Sequence, residues 1–251
     1  MTDLARSIAG AGPAFVWAHG LTSSRANEAS GGLFDWTPVV AAGRQVVRYD
    51  ARGHGETGGP PDPEAYRWPR LASDLLALLD ELGIEQTAAG GASMGCATLL
   101  HAVLRAPARF DRLVLVIPPT AWDTRAAQAE QYEGSARYVE EKGKAAWMAV
   151  AAEAPRPAIF ADLPPFPFTA DIPEPLLPSV LRGAAGSDLP PAEAVATITQ
   201  PALVLAWAGD PGHPESTAER LAELLPTADL QIATHVRDVL GWPARVAAFL
   251  A

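Results

Sequence analysis

Five residues, Gly91-Ala92-Ser93-Met94-Gly95, constrain this chain more than any other stretch. They follow a short apolar run, Thr87-Ala88-Ala89, that reads as a strand. They precede Ala97 to Ala106, which reads as a helix closed before Pro107. A serine at a tight strand-to-helix turn needs small residues on both sides, because a side chain there would strike the neighbouring strand or helix. Such a turn pushes the hydroxyl outward, where a substrate carbonyl can reach it. It also aims the N–H of Met94 at the oxygen that becomes negative during attack.

The rest of the chain supplies a frame for that turn. Ala14 to Ala18 reads as a buried strand stopped by His19-Gly20, and Gln45 to Asp50 as a second, ending in Ala51-Arg52-Gly53-His54-Gly55. Asp35 to Ala42 reads as a short helix between them. Leu71, Leu75, Leu78, Leu79 and Leu82 make one apolar helical face ended by Gly83. Arg112 to Ile117, Ala202 to Ala206 and Leu230 to Ala233 read as further strands, and Pro214 to Leu225 and Trp242 to Leu250 as helices. This alternation implies an α/β architecture, a mostly parallel sheet covered by helices on both faces. Ligands in such sheets bind at the carboxyl ends of the strands, so His19, His54, Ser93 and Asp210 are expected to gather at one edge.

The alternation breaks between Trp122 and Gln200. Thr124 to Glu141 and Lys144 to Glu153 are helix-like, and a proline-dense run follows from Pro155 to Pro178, which forbids regular helix or central strand. An insertion between two core strands reads as a lid (cap) over the site. The expected organisation is one structural domain, with residues 1–120 and 200–251 as core and 121–199 as lid.

Composition excludes several classes of function. The chain has 19 Lys and Arg against 29 Asp and Glu, a formal charge of −10, which argues against binding nucleic acid or an anionic membrane surface. Its one cysteine, Cys96, excludes an intrachain disulfide and any cysteine-rich metal site. No basic start leads into an apolar segment, and no apolar run is long enough to span a bilayer, so a cytoplasmic protein is the expectation.

Four pieces in order carry a resemblance: Ala18-His19-Gly20, Tyr49-Asp50-Ala51-Arg52-Gly53-His54-Gly55, Gly91-Ala92-Ser93-Met94-Gly95, and Gly209-Asp210-Pro211-Gly212-His213-Pro214. With these, residues 14–120 and 200–251 resemble the α/β-hydrolase-fold serine hydrolases of the esterase and lactonase kind. The resemblance implies that Ser93 is the nucleophile, and that the N–H groups of Leu21 and Met94 form the oxyanion hole. His19, Gly20, Gly91 and Gly95 shape the supporting loops, and His54 is architectural. Asp210, after the penultimate core strand, is the implied triad acid, with Asp123 as the alternative because some relatives carry the acid one strand earlier. The chain order Ser…Asp…His leaves His235 as the base. His101 lies too far along its helix, and His213, only three residues past Asp210, reads as a helix N-terminal residue.

His235 departs from the family pattern, which places a Gly-x-Gly-His turn several residues beyond the last strand. Two readings of Ile232-Ala233-Thr234-His235-Val236-Arg237 stay open: a compressed loop that still points into the site, or a surface residue and a site without a base. Few residues precede Ala14 where relatives carry an antiparallel strand pair, so one or both of those edge strands are expected to be missing. Cys96 reads as a small buried apolar residue. Trp122, Tyr132, Tyr138, Trp147, Phe160, Phe166 and Phe168 on the insertion read one by one as packing between lid and core, and taken together suggest an apolar or aromatic acyl substrate. The resulting expectation is a hydrolase of a carboxylic ester or lactone that needs no cofactor or metal, its oligomeric state open. The rival is a non-hydrolytic catalyst or a small-molecule-binding protein without a working base. An epoxide hydrolase would carry aspartate where Ser93 stands.

Overall fold

The computed structural model describes residues 3–31, 34–154, 156–163 and 168–251. In chain order its elements are β1 (Arg6–Ala9), β2 (Ala14–Ala18), α1 (Arg25–Gly31), α2 (Thr37–Ala41), β3 (Gln45–Tyr49) and α3 (Trp68–Glu81). Next come β4 (Thr87–Ala92), α4 (Met94–Arg105), β5 (Phe110–Val116), α5 (Arg125–Lys142) and α6 (Lys144–Ala152). The chain ends with α7 (Leu177–Ala185), α8 (Ala192–Val195), β6 (Ala202–Trp207), α9 (Glu215–Leu224), β7 (Ala228–Ala233), α10 (Val236–Leu240) and α11 (Trp242–Leu250). Among the described residues no helix is long and apolar enough to cross a membrane.

The strands form one seven-stranded sheet in the order β1-β3-β2-β4-β5-β6-β7. Only β1 is antiparallel to its neighbour, β3; the other pairs are parallel. One antiparallel edge strand is therefore present ahead of Ala14. It is three-quarters exposed, so no apolar run marks it in the sequence.

Period-two alternation sends each strand's side chains to two different cores. Val16 and Ala18 of β2 and Ala202, Val204 and Ala206 of β6 meet the apolar faces of α3, α4 and α9. Phe15 and Trp17, with Leu203, Leu205 and Trp207, meet Trp36, Val39 and the α11 residues Trp242, Val246 and Leu250 on the other face. The strands β2, β4 and β6 are buried at every position, as expected of strands covered on both faces.

The segment between β5 and β6 holds α5 to α8. Tyr66, Ala136, Val139, Ile172, Leu177, Val180 and Leu181 form a third apolar cluster that joins it to the core. The proline-rich run is mostly irregular where described, with one 3-10 turn at Ala158–Phe160. Pro178 does not forbid helix: it sits in the first turn of α7, where a missing N–H costs nothing. Phe166 lies outside the described residues.

Candidate active site

The turn after β4 is built by close approach. A methyl group on Gly91 would lie 2.3 Å from the carbonyl carbon of Gly95, and one on Gly95 would lie 2.1 Å from the carbonyl oxygen of Ala18 in β2. Both are backbone atoms that cannot give way, so only glycine fits. Between them Ser93 takes φ 52° and ψ −111°, and its N–H is held by the carbonyl of Val116 at 3.0 Å. Among the described residues the non-glycine residues with left-handed φ are Thr22, Ser93, Ile117 and Trp122. All four lie beyond the carboxyl ends of strands, the region where backbone strain of about 1–3 kcal/mol per residue is characteristically tied to function.

A continuous hydrogen-bond chain leaves the Ser93 hydroxyl. His213 Nε2 lies 2.9 Å from Ser93 Oγ, and His213 Nδ1 lies 2.9 Å from Asp210 Oδ2. A carboxylate only accepts, so Nδ1 carries the proton and donates it to Asp210. Nε2 is then the lone pair facing the serine hydroxyl, the tautomer a general base needs. Burial opposes the charge on Asp210. The N–H donors of His213, Trp207 and Gly212 outweigh it and hold the carboxyl at about 2.

Asp210 and His213 come from one turn. Gly212 N–H donates to Asp210 Oδ1 at 2.9 Å, and His213 N–H to the Asp210 carbonyl at 3.1 Å. This side-chain turn folds Pro211-Gly212 outward and brings the acid and the imidazole to one side. A histidine three residues past an acid, with Pro-Gly between them, was the available sequence signal for this pairing.

The loop after β2 lies beside the serine. His19 accepts from Ala51 N–H through Nε2 at 2.9 Å and donates through Nδ1 to the Gly20 carbonyl at 2.8 Å. Ser23 N–H closes the same turn on Gly20 O at 3.1 Å. Among the described residues the N–H groups of Leu21 and Met94 have no hydrogen-bond partner. Both are therefore free to receive an oxyanion. His54 is buried, and burial and then His19 push its imidazole down to about 3, so it is neutral. Its Nδ1 lies 2.9 Å from the Arg52 carbonyl, and Arg52 clamps Asp74 of α3 at 2.6 Å and 2.9 Å.

Cys96 is buried, its thiol bonded to the carbonyls of Gly91 and Val116, and burial pushes its pKa up. Asp123 is exposed and bonds to no histidine among the described residues. His101 is bonded to the Asp188 carbonyl at 3.0 Å, away from the serine.

A family model described as the alpha/beta hydrolase fold matches residues 13–137. Over the whole chain, a hydrolase from Pseudomonas aeruginosa PA01 superposes with a TM-score of 0.82, covering 100% of this chain and 95% of that one at 24% identity. The chain belongs to the α/β-hydrolase fold family. The enol-lactonase from Burkholderia xenovorans LB400 shares the fold with a TM-score of 0.80 at 24% identity, covering 99% of this chain and 96% of that one. Among curated relatives, 3-oxoadipate enol-lactonase 2 of Acinetobacter baylyi is 36% identical over 98 residues, 39% of this chain. That stretch spans only 34% of the relative's length.

Within this α/β-hydrolase fold the structure corrects the base. His235 is not brought to Ser93. It follows β7 by a single residue, Thr234, and serves as the N-cap of α10. Its side chain is 62% exposed, bonded to Thr234 Oγ1 at 3.0 Å and facing Asp238 at 3.8 Å. The helix begins before any loop can turn back. Because β7 is the third strand from β4, such a loop would have to cross about 14 Å of sheet, three strand spacings. His213, after β6, has two spacings to cross and does so within the acid's own turn.

Proposed function

We propose that the chain is a serine hydrolase of carboxylic esters or lactones that works through an acyl-enzyme on Ser93. The single observation that carries this reading is the chain from Ser93 Oγ through His213 to Asp210, with both contacts at 2.9 Å. His213 takes the serine proton as Oγ attacks the carbonyl, and Asp210 stabilises the imidazolium that forms. The N–H groups of Leu21 and Met94 receive the oxyanion, each donor worth about 10²–10³ in rate. The imidazolium then protonates the leaving alkoxide. Water, deprotonated by His213, releases the acyl group and restores Ser93.

The lactone class is supported by the curated enol-lactonase relative. Serine at the elbow, where an epoxide hydrolase uses aspartate, supports acyl transfer. The segment 121–199 acts as a lid, and its half-buried Tyr132 and Trp147, packed like Leu21 against the third apolar cluster, favour an apolar acyl group. The contact of His213 with the serine hydroxyl favours this reading over a non-hydrolytic or binding protein without a base.

The test is labelling with an organophosphonate and turnover of a short p-nitrophenyl ester. One equivalent of label on Ser93, with turnover lost in Ser93→Ala, is the expected result. Turnover retained in Ser93→Ala overturns the reading.

A further inference from the structure

The Asp210 carboxylate accepts from one side chain besides His213. Trp207 Nε1 lies 2.9 Å from Asp210 Oδ2, the same oxygen that receives His213 Nδ1. Trp207 is the last residue of β6, three residues before the acid, and only 7% exposed. Its ring cannot swing. It stacks on Trp242 of α11 with centroids 5.6 Å apart and planes 3° apart, and the edge of Phe160 from the inserted segment abuts it at 4.9 Å and 85°. The indole N–H is thus aimed by packing from two other elements.

This matters because acid and base share a four-residue turn that is open to water, the Asp210 and His213 side chains being 15% and 25% exposed. A carboxylate held only by the adjacent Gly212 N–H could rotate with the turn. A donor fixed in the sheet prevents that.

We propose that Trp207 is a positioning residue: its indole N–H fixes the rotation of the Asp210 carboxylate so that Oδ2 stays in line with His213 Nδ1. The proposal rests on the serine hydrolase reading and deepens it. Two charged groups are bonded to the residues around the turn and Trp207. Glu215, at the start of α9, accepts from Gly209 N–H at 3.2 Å, and Arg156 donates to the Phe160 carbonyl at 3.0 Å. Neither is among the groups that hydrogen-bond Asp210 or His213.

The test is Trp207→Phe on a p-nitrophenyl ester. Loss of orientation should lower kcat about tenfold and leave KM within about twofold, since the ring is not asked to bind substrate. Without the indole donor, Oδ2 keeps more of its charge for the imidazolium. The acidic limb of kcat/KM should therefore move to higher pH by roughly half a unit or more. If Trp207→Phe does not fold, the benzothiophene isostere at position 207 keeps the ring and removes only the N–H, with the same expectation. A limb that stays put or moves down, with kcat unchanged, overturns the proposal. Ser93→Ala separates the two ideas. Turnover surviving there overturns the serine reading and the proposal with it. Turnover lost there, beside an unmoved Trp207→Phe profile, overturns the proposal alone.

Discussion

Replacing His213 by alanine, beside the same change at His235, tests the assignment of the base. His213 makes the contact with Ser93 Oγ at 2.9 Å, and no other histidine of the described residues bonds to that hydroxyl. Its loss leaves the serine protonated with no acceptor for its proton. The oxyanion donors and substrate binding survive, so the penalty is that of removing one member of a triad, about 10⁴–10⁶ in kcat. At about 1.4 kcal/mol per decade this is about 5–8 kcal/mol of transition-state stabilisation. His235→Ala removes a side chain that is 62% exposed. Its backbone N–H still bonds Asp238 Oδ2 at 3.3 Å, so α10 keeps part of its cap. The cost is at most about 1 kcal/mol of stability, and the rate should stay within about twofold. The assay is pre-steady-state hydrolysis of a p-nitrophenyl ester, with thermal melting to show that both variants fold. A folded His213→Ala within tenfold of the parent refutes the assignment. So does a His235→Ala that loses a hundredfold.

Two further predictions concern stability. Gly95→Ala puts a methyl 2.1 Å from the Ala18 carbonyl oxygen and should destabilise by more than about 3 kcal/mol in urea melts, whereas Gly134→Ala, inside α5 with only the end of the Arg137 side chain in ordinary contact at 4.0 Å, should gain about 0.5–1 kcal/mol. Equal effects at the two sites would contradict the close-approach argument. Burial raises the buried Glu28 to about 7 against the pull of Trp17 and Arg48. A carboxyl raised on folding contributes stability that is complete below its unfolded value near 4.5 and is lost as pH rises through 7. Relative to Glu28→Gln, the parent should therefore lose up to about 3 kcal/mol across that window. Parallel pH profiles of the two urea midpoints would refute it.

The central strands were legible because a strand covered on both faces must be apolar throughout, and a short apolar run between turns has few other uses. Thus β2, β4, β5 and β6 fall within a residue or two of where the sequence puts them, apart from β4, which runs on to Ala92. The exposed edge strand β1 and the helix α7 were not legible. The first takes its identity from pairing with β3, and the second carries in its first turn a proline that reads equally well as a breaker. In the site, Ser93, Leu21, Met94 and Asp210 lie where their motifs place them, at one edge of the sheet. The base did not follow its motif. The reading that passed over His213 took a three-residue separation from the acid as too short for a partner, when an Asp-Pro-Gly-His turn brings the two side chains together.

The sequence by itself determined the elbow. Its shape depends on sterics between residues four apart and on one neighbouring strand, and those follow from two glycines and a serine. Only the tertiary structure decided which histidine lies against the serine hydroxyl. That choice is a distance across the sheet, set by the order β4-β5-β6-β7 and by how soon each loop is captured by the next helix. His235 is captured at once by α10, while His213 sits in a turn closed by its own acid and pointed at Ser93.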